Sequence, residues 1–135
     1  MTINTIIVDD EKPARDELAF LLKSFPEINL IGQGKNGVEA VALIKEHLPD
    51  LVFLDLRMPG LSGVETLVRL NRVCPNVPVY IVTAFLGDFL APLRALEDAG
   101  LDFNLARKPL SAGEIAAIAR GRLGNHPVTS EGVHR

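Results

Sequence analysis

The sequence predicts an α/β domain built as a doubly wound, five-stranded parallel sheet. Three observations carry this. Short clusters rich in Ile, Val and Leu alternate with longer segments of helical periodicity. The segments between successive apolar clusters are too long for hairpins, so each strand must be followed by a crossover. The alternation runs as strand then helix five times, the order that places helices on both faces of a parallel sheet through right-handed crossovers.

Strands are expected over Ile3 to Val8, Ile28 to Ile31, Leu51 to Leu54 and Val77 to Val82, with a weaker fifth over Phe103 to Ala106. The first helix opens just after Asp10. Pro13 suits its first turn, where a missing N–H costs nothing, and Ala14, Leu18, Leu22 and Phe25 recur at helical spacing. The second carries Val41, Ile44 and Leu48 and the third Leu67, Leu70 and Cys74, with Pro49 and Pro75 placed to stop them. Asn36 with Glu39, Ser62 with Glu65, and Ser111 with Glu114 each set a capping side chain three residues before a carboxylate, marking three helix starts. Gly100 sits where a left-handed glycine would end the fourth helix. Pro92 lies within that helix, which is expected either to start late, with Pro92 in its first turn, or to kink. Periodicity fades from about Gly121, so residues 1–123 read as one domain and 124–135 as a flexible tail or the start of a linker.

Composition narrows the function classes. The chain has 135 residues, 47% hydrophobic and 23% charged, a globular profile with room for one domain core. Fourteen Lys+Arg against seventeen Asp+Glu give a net charge of -3, which speaks against direct nucleic-acid binding by bulk electrostatics. Trp is absent and there is one Tyr, so a base-stacking platform is not expected either. The single Cys74 excludes an internal disulfide and fits a reducing, cytoplasmic setting. No apolar run approaches the roughly 20 residues of a membrane span, and no signal-peptide pattern opens the chain.

In an open parallel sheet, ligands bind at the carboxyl ends of the strands. There the sequence puts Asp9 and Asp10 after the first strand, Asp55 after the third, Thr83 after the fourth, and Lys108-Pro109 after the fifth. Three carboxylates on one rim are unfavourable unless a cation neutralises them. Mg2+ suits a site with few protein ligands, since it keeps several waters and accepts phosphate oxygens. Lys108 can balance the remaining charge or pair with a phosphoryl group. Taken singly, each residue has a plainer reading: a strand-end Asp caps a turn, Thr83 is a strand residue, Lys108 is a solvated loop lysine. Five of them on successive strand ends are poorly explained by chance.

These residues resemble the CheY-like receiver domains of two-component response regulators. The resemblance rests on Ile6-Ile7-Val8-Asp9-Asp10-Glu11, Leu51-Val52-Phe53-Leu54-Asp55-Leu56-Arg57-Met58-Pro59-Gly60 with Gly63, Val82-Thr83-Ala84, and Lys108-Pro109. It implies strand order 2-1-3-4-5, of which CheY is itself the standard example. It implies Asp55 as phosphoacceptor, Mg2+ held by Asp9, Asp10, Asp55 and the Arg57 backbone carbonyl, and Thr83 and Lys108 as partners of the phosphoryl oxygens. By the same resemblance the donor is a sensor histidine kinase or phosphotransfer protein. The signal passes to a downstream protein or to an output domain, since residues 1–135 leave no room for one. The domain is then a regulator with at most self-catalysed phosphorylation and autodephosphorylation, and homodimerises, where it does, through the fourth helix, fifth strand and fifth helix.

Some positions depart from the family pattern. The site three before the lysine usually carries an aromatic; here it is Leu105, with Phe103 two residues earlier. Either Leu105 packs in the core, or a one-residue bulge brings Phe103 into the aromatic role. Arg57 and Phe85 flank the acceptor and would govern the access of water to an aspartyl phosphate. Three other functions compete. One is a receiver-like interaction module that does not cycle phosphate. A haloacid-dehalogenase-type phosphohydrolase is a second, but it wants an acid where Arg57 stands. The third, a flavodoxin-like cofactor binder, lacks a phosphate loop after the first strand.

Overall fold

The computed structural model describes residues 2–55, 63–84 and 86–123. Five strands, β1 (Ile3–Val8), β2 (Ile28–Gly34), β3 (Leu51–Leu54), β4 (Val79–Thr83) and β5 (Asn104–Arg107), alternate with α1 (Lys12–Leu22), α2 (Gly37–His47), α3 (Gly63–Val73), α4 (Leu86–Asp98) and α5 (Ala112–Leu123). All four strand pairings are parallel and the order is β2-β1-β3-β4-β5, the expected doubly wound sheet. The chain turns back on itself between β1 and β3, which opens a crevice at the carboxyl ends of those strands.

Alternation along each strand divides the core in two. Ile6, Val8, Val52, Leu54, Val79 and Ile81 face the α2, α3 and α4 side. Ile7, Leu51, Phe53, Tyr80 and Val82 face α1 and α5. Strands buried on both faces need mostly apolar residues, which is why β3, and β4 as far as Val82, are continuous apolar runs.

The helix signals resolve individually. Asn36 accepts a hydrogen bond from Glu39 N at 2.8 Å, and Glu39 reaches back to Lys35 N at 2.9 Å rather than to Asn36 itself. Ser111 and Glu114 form a reciprocal box, each accepting from the other's backbone N–H at 3.1 and 2.9 Å. Ser62 lies outside the described residues, as do Arg57, Phe85 and the segment 124–135. Gly100 adopts φ 94, and the bonds Leu101 N to Leu96 O and Gly100 N to Glu97 O complete a Schellman end to α4. At the end of α2 the left-handed position falls instead on Leu48, with φ 45, directly before Pro49.

One expectation is corrected, and one pair of alternatives is resolved. Helix α4 begins at Leu86, not late, and runs through Pro92, which sits exposed in its middle. The ring removes one backbone donor, but the helix continues for six residues on either side. The β4–β5 register is continuous from Tyr80–Asn104 to Thr83–Arg107, so no bulge moves Phe103. Leu105 lies opposite Ile81 and packs half-buried against the α2–α4 core, while Phe103 is buried in that core just before the strand.

Candidate functional site

Each acid is delivered by a strand end. The Asp9 backbone N–H extends the β1–β2 ladder to Gly34 O at 3.1 Å, and Asp55 N bonds Val8 O at 2.9 Å, so β1 and β3 set the two side by side. The Asp9 carboxylate turns back to accept Glu11 N at 3.0 Å. Lys108 is positioned the same way, its N–H donating to Thr83 O at 3.0 Å just beyond the β4–β5 pairing. Thr83 itself is fully buried at the end of β4.

The structure brings Asp9, Asp10 and Asp55 together, with one carboxylate oxygen from each lying within 4.8 Å of the others. Asp9 and Asp55 are only 5% and 7% exposed, whereas Asp10 is exposed. Lys108 Nζ lies 2.6 Å from Asp9 Oδ2 and 3.7 Å from Asp55 Oδ1. Burial works against its ammonium. The hydrogen bond to Asp9 and the charges of Asp55, Asp9 and Glu11 outweigh that cost and hold its pKa above the ordinary lysine value. One ammonium faces three carboxylates, leaving an oxygen-rich, negatively charged pocket. Hard oxygen donors, one of them open to solvent, fit a small divalent cation such as Mg2+. Arg57, whose carbonyl was expected among the ligands, lies outside the described residues.

Two features were not foreseen. Arg15, on the second turn of α1, donates from Nη1 to the Asp9 carbonyl at 2.7 Å. A cavity of about 340 Å³ opens between α1 and the loop joining β5 to α5, lined by Phe53, Val82, Ala14, Leu18 and Leu110. It reaches Asp9, Asp55 and Lys108 at one end, and Phe20, 74% exposed, stands at its edge. Helical spacing alone assigns Ala14 and Leu18 to the core. It does not show that the loop after β5 leaves space beside them.

The profile of the response regulator receiver domain family matches residues 5–120. The chain belongs to that family. Receiver domains are regulatory modules rather than conventional enzymes, and the family binds Mg2+ at an acidic pocket of this kind. The chain is 38% identical over 125 residues to an uncharacterised response regulatory protein of Vibrio cholerae, covering 92% of this chain and 50% of that protein. It is 36% identical over 120 residues to the response regulator protein VraR of Staphylococcus aureus, covering 89% and 56%. The chain thus spans about half the length of the curated relatives it matches. Among solved structures, the response regulator domain of Thermotoga maritima CheB superposes with TM-score 0.76 at 26% identity, covering 94% of this chain and all of that one. A LuxR-family two-component response regulator from Aurantimonas sp. SI85-9A1 gives 0.78 at 25%, covering 93% and 88%. Among the described residues, no helix is long and apolar enough to cross a membrane.

Proposed function

We propose that this receiver domain, residues 1–123, is a phosphorylation-dependent switch that accepts a phosphoryl group on Asp55 from a histidine phosphodonor. One observation carries the reading: a buried carboxylate at the end of β3, with an ammonium 3.7 Å away and two further acids gathered beside it. In the transfer, an Asp55 carboxylate oxygen forms a bond to phosphorus as the donor's N–P bond breaks, and the electron pair leaves with the imidazole nitrogen. Little else is asked of the protein than positioning and charge neutralisation. Asp9, Asp10 and Asp55, with the Arg57 carbonyl, would hold Mg2+, which when bound offsets the charge of the carboxylates and of the phosphoryl oxygens. Lys108 pairs with one phosphoryl oxygen and the Thr83 hydroxyl donates to another. The resulting acyl phosphate is a dianionic group in a pocket now packed around a carboxylate, and the rearrangement it forces is the signal.

The donor reaches Asp55 from the side of the cavity, where Phe20 and the Lys108–Leu110 segment frame the approach. The α4–β5–α5 face, with Leu90 exposed on α4, is the surface for pairing with a second copy. The test is incubation with acetyl phosphate and Mg2+, followed by intact mass. One phosphoryl group is expected on the wild type and none on Asp55→Ala. Failure of the wild type to take up phosphate under any condition would instead favour an interaction module that does not cycle phosphate.

A further inference from the structure

We propose that Arg15 is a positioning residue for the acid pair, setting the aim of Asp10 through the peptide that joins it to Asp9. The inference rests on the reading of the pocket as a Mg2+ and phosphoryl site. Asp9 is held at every polar atom. Its N–H meets Gly34 O, its two carboxylate oxygens meet Glu11 N and Lys108 Nζ, and its carbonyl meets the Arg15 guanidinium at 2.7 Å. Asp10 is different. Among the described residues its carboxylate has no hydrogen-bond or ion-pair partner, and it is exposed. The backbone that carries its Cα is therefore what places it, its own rotamer doing the rest.

The peptide unit is planar, so fixing the Asp9 carbonyl oxygen fixes the plane that also contains the Asp10 nitrogen and Cα. Arg15 grips that plane with a charge-assisted bond from a rigid, half-buried fork. The grip comes from α1, whose first turn closes on the same loop through Arg15 N to Glu11 O at 3.1 Å. Two hydrogen bonds thus tie the start of α1 to the segment that carries the acid pair. The guanidinium bonds the Asp9 backbone carbonyl and, among the described residues, forms no ion pair with a carboxylate of the pocket.

A purely electrostatic role and a positioning role predict opposite signs. Removing a positive charge beside three carboxylates would by itself tighten Mg2+ binding. Losing the anchor of a ligand's backbone weakens it, as loss of a supporting partner does at other metal sites, by roughly 10- to 100-fold. The experiment measures Mg2+ affinity of the full chain by calorimetry for wild type, Arg15→Gln and Arg15→Lys. Alongside it run amide exchange of Asp10 and Glu11 without metal, and phosphoryl uptake across Mg2+ concentrations. Arg15→Gln should bind Mg2+ roughly tenfold more weakly, show faster exchange at Asp10 and Glu11, and recover near wild-type uptake once Mg2+ saturates. Arg15→Lys, which keeps the charge and one donor, should fall between the two, and it carries the test if the glutamine variant does not fold. Affinity equal to or tighter than wild type in both variants overturns the role of Arg15 alone. A wild type that neither binds Mg2+ nor takes up phosphate overturns the site reading and, with it, the inference.

Discussion

Lys108 carries most of the countercharge in the metal-free pocket, so replacing it with methionine isolates that contribution while keeping much of the apolar stem. At an effective dielectric constant of about 20, its separations of 2.6 and 3.7 Å from Asp9 and Asp55 correspond to attractions of roughly 6 and 4.5 kcal/mol. Desolvation of the three groups opposes much of this. Removing one partner from a fully buried pair costs about 3–5 kcal/mol. Lys108 keeps 26% of its side chain in solvent and Asp9 retains the Glu11 N–H, so Lys108→Met is expected to lose roughly 2–3 kcal/mol. Urea unfolding followed by far-UV circular dichroism, in chelator, should show the midpoint falling by about 1 M. With saturating Mg2+ the gap should narrow, because the cation takes over neutralisation of the same carboxylates, and the variant should bind Mg2+ more tightly than wild type. The sign with pH follows from the raised pKa of Lys108. Its stabilisation is fully present below the ordinary lysine value and is lost only as pH climbs through the raised folded one, so the gap should be flat across neutral pH. Equal midpoints in chelator, or a gap that Mg2+ leaves unchanged, would refute the charge assignment.

Two further perturbations separate docking from chemistry and conformation from contact. Phe20→Ala should slow transfer from a histidine kinase that phosphorylates the wild type by roughly tenfold, the loss of one exposed aromatic anchor of about 1–2 kcal/mol. It should leave uptake from acetyl phosphate unchanged, and an equal drop with both donors would show that Phe20 does not serve docking. Gly100→Ala is expected to destabilise by about 1–2 kcal/mol, because the residue sits at φ 94 while a Cβ there would meet nothing within 4 Å. An unchanged urea midpoint would mean that the end of α4 relaxes freely.

How much of this was legible in the sequence depends on where each interaction stores its signal. Strands buried on both faces are mostly apolar, so β1 and β3 could be read to the residue despite Asn4 and Thr5, and the acids that follow them stand out against that background. Edge strands write a weaker record. Strand β2 runs three residues past the expected Ile31, through Gly32, Gln33 and Gly34, because pairing with β1 continues where the apolar run stops. Helix α4 contains a proline and still begins at Leu86, since a single missing N–H at an exposed position is a smaller loss than giving up the backbone hydrogen bonds of the six residues ahead of it. Leu105 was readable as a departure. That it simply packs depends on the unbroken β4–β5 register, which no residue type announces.

The site divides the same way. Asp9, Asp10, Asp55, Thr83 and Lys108 are side chains with chemistry of their own, and topology alone brings the ends of their strands to one rim. Arg15 acts on a backbone carbonyl, and every residue has one, so nothing at Asp9 calls for an arginine six positions later. A helical arginine near an acidic loop would be read from sequence as a solvated charge. Only the half-buried guanidinium aimed at Asp9 O, beside an Asp10 with no partner among the described residues, distinguishes an anchor from a surface residue. Side-chain to side-chain chemistry thus leaves a pattern that spacing can find. Side-chain to backbone support leaves one only where it recurs at a fixed offset, as in the Ser111–Glu114 box, and the Arg15 bond has no such offset.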